Sequence, residues 1–253
     1  MLQIYLKAEN LKFKRSLFRK LILIIPAALI VLSMMFLFIG IGLGGFSSSI
    51  VCNWCMPVAS LSIVILCHLV NNKEQKQNYR TLSSLPIDLK KTFISKSILI
   101  ALHLLLVSFI LAFLTVICEG IKAGAPAAIS HAWYYFLGYF ILWLSLLWLI
   151  PFCLYLDQKT GFAGSVIIHL AASALGGLFF SLTPLFWFFP YSWPARFMVT
   201  FFGVLPNGLM VDADAGLILN LSESSVLVLV SLLAVFALLI LLSRWYQRQV
   251  YRK

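Results

Sequence analysis

Between Leu21 and Asn72 the chain carries no Asp, Glu, Lys or Arg, a run of 52 residues. A charge near the centre of a spanning helix costs about 2.5–3.5 kcal/mol on insertion scales, so charge-free stretches of about 20 residues mark candidate membrane crossings. This run is too long for one crossing, and Gly44-Gly45-Phe46-Ser47-Ser48-Ser49 interrupts it. It reads as two. Four more charge-free runs follow, Ser97 to Cys118, Ala123 to Leu156, Thr160 to Ala195 and Ser224 to Ser243, of 22, 34, 36 and 20 residues. Six spans are expected, at about 21–43, 51–70, 96–117, 133–155, 161–183 and 225–244. The first is too long for a signal-peptide core and reads as retained. The expected fold class is an all-α membrane protein, with residues 1–253 forming a single transmembrane domain.

Composition agrees with this and excludes the main alternatives. Apolar residues make up 62% of the chain and charged residues 11%, against about 45–50% and 25% in soluble domains. With a mean hydropathy of +1.01, a soluble enzyme core is excluded. Five cysteines, an odd number, exclude a disulfide-stapled secreted domain.

The basic residues fall almost entirely on one side of this layout. Seventeen of the 19 Lys and Arg lie before span one, in the 71–96 connection, at Lys159 or after span six; only Lys122 and Arg196 lie opposite. Glu9, Glu74, Asp88 and Asp157 share the basic side, and Glu119, Asp212, Asp214 and Glu223 the other, giving +13 and −2. The positive-inside rule then places both termini in the cytoplasm of a multi-pass plasma-membrane protein. Topology accounts for the basic charge, so nucleic acid is not expected as a partner.

Three segments are not spans. Residues 1–20 set Leu2, Tyr5, Leu6, Leu11, Phe13 and Leu17 among six cations, which suits either an amphipathic helix in the inner headgroup layer or a plain basic flank. The connection at 71–95 is the longest polar stretch. Tyr79 and Leu82 fit one short amphipathic helix, and Pro86 with Asp88 restarts the chain; a loop of this length suits contact with a cytoplasmic partner. Residues 184–224 are apolar and aromatic, yet their charge-free part, 197–211, is too short to cross. They read as re-entrant or interfacial helices on the extracellular side.

No catalytic constellation is visible. The chain has no nucleotide-cradling Gly-x-x-x-x-Gly-Lys-Ser/Thr loop, no zinc-type His pair and no nucleophile elbow, so it is not expected to be an enzyme or to bind a cofactor or metal. Cys52 and Cys55 have redox-type spacing but no second pair, and packing beside Trp54 is the reading adopted. His68, His103 and His169 read as satisfied interhelical contacts rather than a proton relay. Gly161, Gly164, Gly176 and Gly177 suit close helix approach.

Three groups of residues carry a family likeness: Ala8-Glu9-Asn10-Leu11-Lys12-Phe13-Lys14; Asn78-Tyr79-Arg80-Thr81-Leu82 with Leu85-Pro86; and Ser192-Trp193-Pro194-Ala195-Arg196 with Pro206-Asn207-Gly208. With the span order, they make the chain resemble lantibiotic-immunity ABC permeases of the MutE/EpiE type. The resemblance implies a transmembrane domain of the second ABC-export class, paired with a second permease as a heterodimer and with two copies of a separate ATPase that binds ATP and magnesium. It further implies export of a cationic antimicrobial peptide from the membrane of a Gram-positive producer. The coupling helix would lie at about 73–85, making Glu74, Asn78, Tyr79, Arg80, Thr81 and Leu82 the candidate ATPase-coupling residues. Trp187, Phe188, Tyr191 and Trp193 are candidates for the substrate path, with Asp212 and Asp214; these two and Glu223 either attract a cationic peptide or form a solvated loop. Leu205 stands where relatives often have His before Pro-Asn-Gly, so no role of that His transfers. The alternatives are a permease for another drug, lipid or peptide, or a membrane protein that binds peptide without transporting it.

Overall fold

The computed structural model describes residues 2–39, 45–76, 87–211 and 221–251, and among these it is helical throughout apart from turns and one isolated antiparallel bridge, Val204 to Met210. α1 (Leu2–Lys12) leads through a turn into α2 (Leu17–Phe38). α3 (Phe46–Asn53) passes through a π turn, Trp54–Val58, into α4 (Ala59–Gln75) without leaving helical geometry. Pro57 explains the π turn: it has no N–H for the carbonyl four residues back, and its ring crowds that carbonyl.

α5 (Leu89–Ala123) and α6 (Ala125–Leu146) form an antiparallel hairpin about Gly124, whose φ of 89° is favourable only for glycine. Trp143 Nε1 donates to the Ala101 carbonyl at 2.8 Å, and Thr115 and Tyr139 hydroxyls meet at 3.1 Å farther along. After a break at 147–148 comes α7 (Leu149–Leu175). Pro151 causes that break: it cannot donate to the Leu147 carbonyl, which instead accepts from Ile150 N–H at 3.2 Å.

α7 is itself two antiparallel arms. The rings of Phe152 and His169 are 5.9 Å apart, whereas 17 residues of straight helix would separate them by about 25 Å. The chain reverses at Gly161, whose φ of 73° and ψ of −177° lie in a region essentially restricted to glycine. The second arm continues through Gly176–Phe180. Short turns at Pro184–Phe188 and Pro190–Ser192, α8 (Trp193–Phe197) and a π turn, Met198–Phe202, precede α9 (Leu221–Tyr251).

Five of these stretches are long and apolar enough to cross a membrane among the described residues: Leu17–Phe38, Phe46–Gln75, Leu89–Ile121, Leu149–Phe180 and Glu223–Val250. α6 lacks charged residues and has 22 positions, but it falls outside that group because His131, Trp133, Tyr134, Tyr135 and Tyr139 dilute its aliphatic content. The α3–α4 rod sits at the centre, with 72% of its most apolar window buried, against 11% for α9. Phe38, Leu233 and Phe236 accordingly point outward. Such faces are stable only where hydrocarbon surrounds them.

The helices overrun the expected span limits. α4 carries Lys73 and Glu74 in its last turn, α5 begins seven residues before position 96, and α9 extends to Tyr251. Charge boundaries mark where the hydrocarbon layer ends, whereas a helix continues once its charged side chains reach headgroups or partners. The expected fourth span is broken at 147–148, and α2 ends at Phe38 instead of 43, with 40–44 outside the described residues.

Candidate functional site

At the basic end of the bundle the ends of four helices meet around one carboxylate. Glu74, on the last turn of α4, bonds the Lys96 ammonium from the second turn of α5. It also accepts from the Tyr246 hydroxyl of α9 at 2.8 Å and from Lys12 of α1 at 3.3 Å. Lys96 reaches Tyr246 Oη at 3.0 Å, and Lys12 pairs with Glu9 at 2.6 Å. The Lys96 side chain is 1% exposed. A buried pair of this kind is costly to break one-sidedly because the survivor keeps its desolvation penalty.

α1 touches both flanks of the connection between α4 and α5. Lys73 Nζ donates to the Lys12 carbonyl on the near flank, and the Asp88 N–H donates to Tyr5 Oη at 3.0 Å on the far flank. Asp88 caps α5, accepting from the Lys90 and Lys91 N–H groups at 3.0 and 3.4 Å and from Lys91 Nζ at 3.0 Å. The Lys91 side-chain bond, with help from those N–H groups, holds its carboxyl below the usual carboxylate range.

A second polar knot joins α4 to the Gly161 reversal. His68 Nδ1–H and Asn71 Nδ2 each donate to the buried Asp157 carboxylate at 2.9 Å, and Asn71 also reaches the Leu154 carbonyl at 3.0 Å. His68 is thus an interhelical contact, as is His169, whose Nδ1 lies 2.7 Å from Tyr191 Oη. His103 packs its ring on Phe18 at 4.4 Å. Cys52 and Cys55 are free and buried beside the fully buried Trp54.

The opposite end is closed by the 176–211 segment. Gly176 lets the backbone of Tyr191 and Ser192 approach so closely that a Cβ would sit 2.8 Å from Ser192 N. Arg196 binds the Glu223 carboxylate through Nε at 2.5 Å and Nη2 at 3.1 Å, tying the segment to α9. Beneath it lies a chamber of about 260 Å³ lined by Ser47, Ser48, Glu119, Tyr134, Tyr135 and Phe202. Ser47 donates to the Glu119 carboxylate, Tyr134 donates to the Phe201 carbonyl, and the Tyr134 and Phe201 rings stack at 4.6 Å. One carboxylate among aromatic faces suits an ammonium or guanidinium group.

The sequence-derived site residues fare unevenly. Glu74 is buried inside the network above, not presented on a docking surface; Asn78, Tyr79, Arg80, Thr81 and Leu82 lie outside the described residues, as do Asp212 and Asp214. Tyr191 and Trp193 converge on Trp148, with ring centroids 5.1 and 6.0 Å from it, and Trp193 Nε1 donates to the Phe186 carbonyl. Phe188 is 86% exposed whereas Trp193 is buried, and the Trp187 ring packs at a tilt of 34° against Phe186 at 4.6 Å. The Glu119 chamber was missed because Ser47 and Glu119 are 72 residues apart and only the fold joins them. The single outer-side Glu at the end of span three was its one sequence signal. Gly161 has nothing within 4 Å of a virtual Cβ, so it serves the reversal and not close packing, whereas Gly176 and Gly177 do serve packing.

A multi-crossing helical membrane protein whose longest polar connection lies at its basic end, with both of its flanks bonded to α1, is the class these features define. The family model for ABC-2 family transporter proteins matches residues 5–176, from α1 through the second arm of α7. The chain belongs to that family, whose members are the membrane-embedded permease components of transporters driven by an ABC ATPase. No curated protein and no solved structure matches the chain.

Proposed function

We propose that this permease has six crossings with both termini cytoplasmic, and that with a separate ATPase it expels a cationic lantibiotic-type peptide from the membrane of a Gram-positive producer. The observation that carries the reading is the bonding of α1 to both flanks of the 76–88 connection, which lets a push on that connection reach α4, α5 and α9 together. Two ATPase copies supply ATP and magnesium, and a second permease completes a heterodimer.

The six crossings are α2, α3–α4, α5, α6 with the first arm of α7, the second arm of α7, and α9. The reversals at Gly124 and Gly161 support alternating directions, and the one-sided basic charge supports cytoplasmic termini. The Glu119 chamber supports a cationic cargo. An apolar crevice of about 250 Å³ between α5, Trp143, Leu147 and Leu239 favours a lipid or drug cargo as the second reading.

The test is release of labelled peptide from cells co-expressing the chain, its partner permease and its ATPase. ATP-dependent release, lost on replacing Tyr79, Arg80 and Leu82 with Ala, is expected; unchanged release would refute the coupling. Protection against lipid-active drugs but not peptides would select the second reading, and binding without any co-purifying ATPase would point to sequestration.

A further inference from the structure

The turn between α1 and α2 holds a concavity that the transport reading does not use. It has a volume of about 410 Å³ and is lined by Leu11, Lys12, Lys14, Arg15, Ser16 and Lys73. Four of its six lining residues are cationic. Lys12 is matched by Glu9 and shares Glu74 with Lys96. Lys73 spends one donor on the Lys12 carbonyl and rests over the Phe13 ring at 4.4 Å. Lys14 and Arg15 have no side-chain partner among the described residues. Ser16 gives its hydroxyl to the Phe13 carbonyl at 3.1 Å instead of capping α2, so among the described residues the first turn of this 22-residue helix has no side-chain cap.

Position decides the ligand class. α2 enters the membrane directly from this turn, so the cavity lies at headgroup depth, and Leu11 and Leu17 beside it are both more than half exposed. Converging cations above apolar side chains at that depth complement a phosphate attached to acyl chains. A choline headgroup would add a positive charge where four already converge.

We propose that this cavity seats the phosphodiester of an anionic phospholipid, of the phosphatidylglycerol type, with Lys14 and Arg15 as its main donors and Leu11 and Leu17 against the upper acyl chain. The bound lipid fixes α1, and with it Lys12 and Tyr5, against the connection between α4 and α5. The assignment requires only that α2 crosses the membrane, and it stands whatever the cargo.

The full chain, purified in non-ionic detergent, is titrated with dioleoylphosphatidylglycerol, with dioleoylphosphatidylcholine and with inorganic phosphate, and bound lipid is counted by native mass spectrometry. The wild type is expected to retain one phosphatidylglycerol in preference to phosphatidylcholine. At about fivefold per cation, the double variant Lys14→Ala with Arg15→Ala weakens that binding roughly 20-fold. Both side chains are exposed and without partners among the described residues, so its melting temperature stays at the wild-type value; should it fall, Lys14→Gln with Arg15→Gln repeats the test. The control, Arg244→Ala with Arg248→Ala, removes the same charge from the exposed end of α9 and leaves the affinity within threefold. Equal loss in the control, equal retention of phosphatidylcholine, or full displacement by millimolar phosphate would each overturn the assignment. So would displacement of the lipid by the purified ATPase, which would make the cavity a protein contact.

Discussion

Replacing Glu74 by Met removes the carboxylate around which α1, α4, α5 and α9 are tied and strands the Lys96 ammonium, leaving it, among the described residues, only the Tyr246 hydroxyl at 3.0 Å. A buried charge stripped of its partner costs about 3–5 kcal/mol. At roughly 2–4 °C per kcal/mol for a chain of this size, the melting temperature falls by about 6–20 °C. The reverse change, Lys96→Met, is milder, about 1–3 kcal/mol, because Glu74 retains Lys12 at 3.3 Å and Tyr246 at 2.8 Å. The double variant places two thioether chains of similar volume face to face and recovers most of the loss, since apolar replacement of a buried pair is often neutral. Thermal unfolding of the three variants in one detergent completes the cycle. Singles that add in the double, or a Glu74→Met variant as stable as wild type, would refute the claim that this network is closed and buried.

Four further outcomes follow from the same geometry. Gly161→Ala forces a side chain into a glycine-only backbone region in open space, so it destabilises by about 1–3 kcal/mol through strain alone, measured by denaturant unfolding. Asp88→Ala removes the α5 cap and costs about 1 kcal/mol. Because the Asp88 carboxyl is held below its ordinary value, its contribution is complete above about pH 4 and disappears as pH falls through the folded-state value. A melting profile of wild type minus variant against pH therefore converges in acid and stays apart at neutrality. Gly176→Ala drives a Cβ to 2.8 Å from the Ser192 backbone and lifts the closing segment, which increases labelling of buried Trp193 by an indole-reactive probe. Glu119→Gln weakens protection against a cationic peptide about 10-fold while leaving protein abundance unchanged, read from growth inhibition and immunoblot; equal protection would remove the chamber from the cargo path.

The five helices long and apolar enough to cross were legible because lipid punishes isolated charge, so gaps between charges mark stretches that hydrocarbon can surround. Helix ends were not, because Glu74 and Lys96 sit inside helices and neutralise each other, a pairing that linear charge counting treats as two boundaries. The break at 147–148 had a signal in Pro151, and the reversal had one in Gly161 beside Asp157 and Lys159. The polar knot of His68, Asn71 and Asp157 had none, since its members come together only when α4 meets α7. The same holds for the Glu119 chamber, assembled from α3, α5, α6 and the closing segment. Aromatic residues at 187–193 were visible as a cluster, but which of them face inward depends on 3₁₀ turns whose phase the sequence does not display.

Sidedness of the connection between α4 and α5 is the point on which the proposed ATPase coupling depends. A single cysteine is introduced by Arg80→Cys in a Cys118→Ser background, where the remaining four native cysteines are buried, and a membrane-impermeant maleimide is applied to cells. The account predicts no labelling of intact cells, full labelling after permeabilisation, and protection once the ATPase is bound. Labelling of intact cells would contradict it.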